Sequence, residues 1–94
     1  MGLFGEFPLQ VAATRGNLDE IYALVDGGAD INAAGELGNT PLHEATSQGH
    51  YDAIRVLLLL GARTDIRNEW GQTALDIASL RKREKLVDLL TSKG

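Results

Sequence analysis

The chain has 94 residues, no cysteine and a net charge of −4 at pH 7. This length allows one domain with a small core, and the lack of cysteine excludes disulfides and thiolate metal sites. The longest apolar run, residues 56–60, is far below the roughly 20 residues of a membrane helix, and the N-terminus lacks the pattern of a secretory signal. We therefore expect a cytoplasmic protein, with the nucleus as the alternative.

An internal repeat of 33 residues dominates the sequence. The aligned triplets include Gly5, Gly38 and Gly71; Leu9, Leu42 and Leu75; Ala12, Ala45 and Ala78; and Gly28, Gly61 and Gly94. A regular period of this length is typical of repeat architectures, in which each unit is stabilised by stacking on its neighbours. The sequence predicts a single domain, residues 1–94, built from three units at about 2–34, 35–67 and 68–94.

The first unit has the weakest helix start of the three. Pro8 suits a first helical position, because its fixed φ is already helical and its missing N–H is not needed there. Phe7, however, precedes it in place of a hydroxyl residue that could cap the helix. Glu20 occupies a position of the second helix that is apolar in the other two units. We expect two short helices here, separated at Gly16.

The middle unit is the most regular. Thr40 is placed to cap a first helix over residues 41–48, and Gly49 is a typical residue for ending it. A second helix is predicted over about residues 51–60, with apolar residues spaced i, i+3 and i+4. Neither helix is long enough to be stable alone, so both depend on packing against neighbouring units.

The third unit departs from the pattern at polar positions. Lys82 and Arg83 replace the Gly-His pair of the middle unit, while Glu84 and Thr91 replace apolar residues. Terminal units of solenoids need a polar outer face. We therefore expect a complete, capped and monomeric array of three units.

The motifs that carry this repeat identify a family. The middle unit contains GNTPLHEA from Gly38 to Ala45, then Gly49-His50, then VLLLLGA from Val56 to Ala62. This pattern resembles ankyrin repeats, and the resemblance covers essentially the whole chain. It implies an all-α ankyrin-repeat solenoid of stacked helix-turn-helix units, with projecting β-hairpin finger loops. It also implies a protein that binds other proteins through the finger tips and the adjoining concave groove.

The resemblance places three large apolar residues, Phe4, Leu37 and Trp70, at successive finger tips. An exposed apolar stripe with a polar rim is typical of an interaction site, and Trp is a favoured anchor. Alternatively, Phe4 folds under the N-terminal edge and only Trp70 is exposed. The flanking candidates for partner binding are Glu36, Asn39, Glu69 and Gln72. Further candidates carried over from the groove of the family are Thr14 and Arg15, Ser47 and Gln48, and Leu80 and Arg81.

No pattern of a metal, cofactor or catalytic site is present. His43 and His50 lack a third ligand at suitable spacing, so they are interpreted as structural residues that brace the loops. The basic cluster at residues 81–85 lacks interleaved aromatic residues and contains Glu84, so a solvated cap is favoured over nucleic-acid binding. We find no nucleophile or phosphate-binding motif and predict a protein that is not an enzyme, without cofactors and without membrane contact.

The charge is distributed unevenly along the chain. Residues 1–52 contain eight acidic residues and one basic residue, for a net charge of −7, whereas residues 53–94 have a net charge of +3. Such a field would steer a basic partner towards the N-terminal half. The alternative is that charges at the ends of the array only solvate it.

Three functions fit these observations. The first is a general adaptor or recognition subunit that binds a partner protein, and the second is a dedicated inhibitor that occludes a basic enzyme. The third is a structural module that self-associates through Leu59 and Leu60, which extend the apolar run beyond the expected core. Partial cover of these leucines by neighbouring helices is the alternative to an exposed dimer seam.

Overall fold

The computed structural model describes residues 7–91. Over this range the chain forms six α-helices and a short 3₁₀ turn at Glu36–Gly38, and it contains no strand. The helices are α1 (Pro8–Arg15), α2 (Leu18–Asp26), α3 (Pro41–Gln48), α4 (Tyr51–Leu59), α5 (Ala74–Leu80) and α6 (Glu84–Thr91). The all-α prediction is confirmed. The bounds of α3 are those predicted, and α4 ends one residue earlier than expected.

The helices form two parallel rows. The first helices of the units pack in the order α1, α3, α5, and the second helices pack in the order α2, α4, α6. Residues that the 33-residue repeat aligns lie in the interior, with Leu42, Ala45, Ile54 and Leu57 almost completely buried. Because each short helix buries its apolar face against the neighbouring units, the stack supplies the stability that single helices lack.

The helix starts differ between units as the sequence predicts. Thr40 Oγ1 accepts a hydrogen bond from the backbone N–H of His43 at 3.3 Å, and Thr73 Oγ1 accepts one from Asp76 at 3.2 Å. In return, the side chain of His43 accepts a hydrogen bond from the N–H of Thr40, and the side chain of Asp76 accepts one from the N–H of Thr73. Phe7 provides no side-chain cap for α1. The weak start predicted for the first unit is therefore confirmed.

The cap of α5 makes stability depend on pH. The hydrogen bond from the Thr73 N–H holds the pKa of Asp76 below its ordinary value of 3.8. The folded state therefore binds this proton less tightly than the unfolded chain, so the stabilisation is present above about pH 4 and is lost as the pH falls through the folded pKa. We expect Asp76→Asn to flatten the acid side of a plot of unfolding free energy against pH. An unchanged slope below pH 4 would contradict this role.

The turns between paired helices contain a left-handed residue. Gly16 and Gly49 have φ of 68° and 79° after α1 and α3, and Lys82 has φ of 57° at the equivalent place after α5. A side chain in this conformation is strained, whereas glycine adopts it readily. Lys82 is therefore strained at a position where the other two units have glycine.

Replacing Lys82 with glycine is expected to stabilise the fold by about 1 kcal/mol, because it removes the left-handed strain. Chemical denaturation of the wild type and of Lys82→Gly would measure the change. Lys82→Ala is the matched control, since it removes the same charge and leaves the strain. A gain in stability for alanine equal to that for glycine would attribute the effect to charge and would contradict the prediction.

Candidate functional site

Two loops project between the units, the first tip loop (residues 35–39) and the second tip loop (residues 68–72). In each, a backbone hydrogen bond joins the first and last residues, from Gly35 N to Asn39 O at 2.8 Å and from Asn68 N to Gln72 O at 2.9 Å. The expected β-hairpin form of the fingers is not seen. Each closing bond lies only one residue before the cap of the next helix, so the loops are tight turns and have no room for a strand pair.

The two tip loops are joined to each other. The N–H of Glu69 donates to the carbonyl oxygen of Leu37 at 2.9 Å, and Asn68 Nδ2 donates to Asn39 Oδ1 at 2.9 Å. One contact is between backbones and the other between side chains. The two tips are consequently held in a fixed relation before any partner arrives.

Asn68 organises the second tip loop and was missed by the sequence analysis. Its Oδ1 accepts hydrogen bonds from the N–H groups of Trp70 (3.0 Å) and Gln72 (2.9 Å). The side chain is only 8% exposed. The sequence did offer a signal for this role, because asparagine is preferred in turns, where its side chain bonds the backbone two residues later.

The first tip loop has Gly35 at the position equivalent to Asn68. A Cβ atom on Gly35 would lie 3.0 Å from the ring of Phe7, so glycine leaves room for that ring. Phe7, which stands at the cap position of α1, thus packs against the first tip loop.

Removing the side chain of Asn68 is expected to destabilise the protein by about 2 kcal/mol, because two backbone donors lose their acceptor. Asn68→Asp is the matched variant and should cost less than alanine, since its carboxylate can still accept both backbone bonds, although it loses the donation from Nδ2 to Asn39 and Gln72. Urea unfolding of Asn68→Ala and Asn68→Asp would test this order. Equal losses would show that Asn68 does not act through these acceptors.

Two large apolar side chains stand at the tips. Trp70 is 64% exposed and Leu37 is 47% exposed. The carboxylate residues beside them, Glu36 and Glu69, are also exposed. Phe4, the third member of the predicted stripe, lies outside the described residues. The described part of this surface is therefore an apolar pair with an acidic rim, next to which the exposed guanidinium of Arg67 donates to the carbonyl oxygen of Gly71.

Leu37 adopts a strained backbone conformation. It has φ of 59° and Gly38 has φ of 74°, and the N–H of Asn39 bonds the carbonyl of Glu36 at 3.1 Å. Positive φ at both central residues is the pattern of a type I′ turn, which glycine and asparagine favour. A leucine in the left-handed region costs roughly 1–2 kcal/mol. Strain of this kind is concentrated at binding and active sites, where a side chain must be presented in one direction.

The remaining predicted tip residues have mixed roles. Asn39 and Gln72 are half-buried, and the side-chain oxygens of both accept hydrogen bonds from Asn68. Their amides therefore take part in holding the loops together. Glu36 and Glu69 are the polar tip residues with the most accessible side chains.

The predicted groove residues lie at the opposite ends of the first helices. Ser47 is half-buried and Gln48 is exposed in the last turn of α3. Leu80 ends α5 with 67% of its surface exposed, and exposed Arg81 follows it. At 1.5 Å per residue, these helices separate the groove candidates from the tip loops by about 10 Å. In the first unit, Thr14 and Arg15 have the corresponding places.

Both histidines brace neighbouring units. His43 Nδ1 accepts from Thr40 N at 3.0 Å, and its Nε2 lies 2.8 Å from the carbonyl oxygen of Gln72. A carbonyl can only accept, so Nε2 carries the proton. His50 Nε2 lies 2.9 Å from the carbonyl oxygen of Thr14. The structural interpretation is confirmed for both. Within residues 7–91, no group of three or more His, Asp or Glu side chains is arranged to hold a metal ion.

Leu59 and Leu60 differ in burial. Leu59 is 71% exposed, whereas Leu60 is half-buried and packs against the core. The alternative that neighbouring helices partly cover these leucines is therefore correct for Leu60 and wrong for Leu59. None of the helices in the described range is long and apolar enough to cross a membrane.

Stacked helix pairs joined by projecting loops define a helical solenoid with an exposed edge of loops. The family model for ankyrin repeats matches three copies over residues 9–94, and the chain belongs to this family. Ankyrin repeats are generally protein-protein interaction modules and are typically not catalytic. Among curated proteins, no match reaches significance.

Proposed function

We propose that this protein binds a partner protein through its two tip loops, as an adaptor or recognition subunit. The observation that supports this most directly is the exposure of Trp70 and Leu37 on loops that are hydrogen-bonded to each other. Large apolar side chains at a rigid, exposed position bury area on binding without first having to be ordered.

Preorganisation is the basis of the proposed mechanism. The contacts of Asn68 and the bond between Leu37 and Glu69 fix the backbone of both tips. Ordering such loops on binding would otherwise reduce the affinity. Ser47, Gln48, Leu80 and Arg81 would then contact a part of the partner that extends along the first helices.

The acidic rim defines the kind of surface that is recognised. Glu36 and Glu69 lie beside the apolar pair, so a partner with basic residues around an apolar patch is complementary and an acidic surface is rejected. Most of the acidic residues of the chain lie in the N-terminal half. Association with such a partner should be fast at low ionic strength and slower in high salt.

Trp70 provides an intrinsic signal for this binding because it is the only tryptophan of the chain. A pull-down with the wild-type protein as bait, compared with a Trp70→Ala bait, would identify proteins that require the tip. Titration with a recovered protein should then shift the tryptophan emission to shorter wavelength as the ring leaves water. An unchanged emission on saturation would show that the tip is not the contact.

The acidic N-terminal half favours a second candidate function, a dedicated inhibitor that occludes a basic enzyme. An inhibitor would bind an enzyme and reduce its activity, whereas an adaptor would bind a partner without inhibiting it. A recovered enzyme that loses activity on binding supports the inhibitor, and a recovered protein without such inhibition supports the adaptor.

The exposure of Leu59 supports a third candidate, self-association through the back of α4. Sedimentation at increasing concentration, for the wild type and for Leu59→Gln, distinguishes this candidate. A dimer that Leu59→Gln disrupts supports it, whereas a monomer at all concentrations contradicts it.

A further inference from the structure

A second surface lies at the other end of α5. Here a cleft of about 1040 Å³ opens around the turn between α5 and α6, and we call it the basic cleft. Its lining consists of Arg81, Lys82, Arg83, Glu84, Lys85, Leu86, Asp88 and Leu89, together with Gly49 and Tyr51. The length of α5, about 10 Å for seven residues, separates the cleft from the second tip loop. Arg81 belongs both to the predicted groove and to this cleft, so substitutions of Lys82 and Lys85 test the cleft separately from the tip loops.

The cleft has a positive charge in a protein that is negative as a whole. Four basic and two acidic side chains line it. In the described range, ion pairs are formed between Arg63 and Asp65 and between Arg67 and Asp76, so the cleft residues take part in none. Its four basic side chains are exposed and form no ion pair with any other described residue.

Two of these basic residues depart from the other units in residue type or packing. Lys82 has the left-handed φ of 57° at the place where both preceding units have glycine. Arg83 replaces His50 of the middle unit, and its guanidinium lies within 2.9 Å of where a Cβ of Gly49 would be. The guanidinium therefore rests against the α3–α4 turn. A strained backbone at an exposed lysine, beside an arginine that packs on the neighbouring unit, marks this turn as a candidate for a binding role.

Aromatic and apolar side chains also line the cleft. Tyr51 is exposed and Leu89 is half-buried, and both line the cleft beside the cations. A ligand that matches the whole cleft therefore combines negative charge with an apolar side chain. The volume suits a few side chains rather than a whole folded surface.

We propose that the basic cleft binds a short acidic segment of a partner protein, with carboxylates on the cations and one apolar side chain against Tyr51 and Leu89. A phosphate polymer is negatively charged along its whole length, so Glu84 and Asp88 in the lining would repel it. Carboxylates spaced along a peptide can avoid these two acids and still form charge-assisted hydrogen bonds with the basic side chains. This proposal does not depend on binding at the tip loops.

The test uses a fluorescein-labelled peptide of alternating glutamate and leucine, titrated with the full chain in low salt and followed by fluorescence anisotropy. We expect binding that weakens at least about fivefold in Lys82→Gly, because one charge-assisted contact is lost. Since the same substitution should raise stability, weaker binding cannot be explained by unfolding. Lys85→Gln should also weaken binding. Arg55→Gln, which removes an exposed charge of α4 outside the cleft, is the matched control and should bind normally.

Several results would overturn the proposal. These are no binding at millimolar peptide, equal binding of a peptide with glutamine for glutamate, or equal weakening by Arg55→Gln. Displacement of the peptide by a single-stranded oligonucleotide, sensitive to Lys82→Gly, would instead assign the cleft to phosphate polymers. Self-association that Lys82→Gly abolishes would assign it to the acidic half of a second copy.

Discussion

Trp70→Ala is expected to weaken partner binding by about 2 kcal/mol or more, which is the loss typical of an interface anchor. The indole is largely exposed in the free protein, so its removal leaves no cavity and should change the unfolding free energy by less than about 0.5 kcal/mol. The backbone N–H of residue 70 keeps its bond to Asn68 in the variant. Trp70→Ala should therefore greatly reduce the affinity for the partner and leave the unfolding free energy almost unchanged.

Isothermal titration with the purified partner would give the affinity, and thermal unfolding would give the stability. Tyr22→Ala is the matched control, because Tyr22 is an exposed aromatic residue on α2, away from the tips. It should leave the affinity unchanged. An affinity that Trp70→Ala does not alter, or a loss of cooperative unfolding, would contradict the proposed role.

His43→Ala should have the largest effect on stability, a loss of about 3 kcal/mol. The buried imidazole belongs to the cap of α3 and also bonds the carbonyl of Gln72 in the next unit. Its removal weakens the cap, which is worth about 1 kcal/mol. It also leaves buried backbone groups unpaired at roughly 1–3 kcal/mol. The middle and third units would then be less tightly coupled.

Urea unfolding tests this prediction through both the midpoint and the slope. A smaller slope in His43→Ala would show that the third unit separates before the rest. His50→Ala is the matched control, because its half-buried ring makes one bond to Thr14 and should cost about 1 kcal/mol. Equal losses for the two variants would contradict the special role of His43.

The sequence by itself determined the architecture of this protein. The 33-residue period, the apolar residues that it aligns and the Thr-Pro start of the middle unit predicted the helix pairs and most of their ends. These signals are local and repeated, so each unit supports the interpretation of the others. The same repetition predicted that Leu37 and Trp70 occupy equivalent places, and that Phe7 provides no cap.

Only the tertiary structure decided how the loops and turns are held. Asn68 looks like an ordinary turn residue in the sequence, yet it bonds Asn39 across 29 positions of the chain. The bond from Glu69 to Leu37 and the close approach of Arg83 to Gly49 also join neighbouring units. Such contacts join residues that are far apart in the chain, and no local propensity encodes them. Helix periodicity is a local property that one segment carries alone, whereas a binding surface consists of side chains from several units and exists only once the units are stacked.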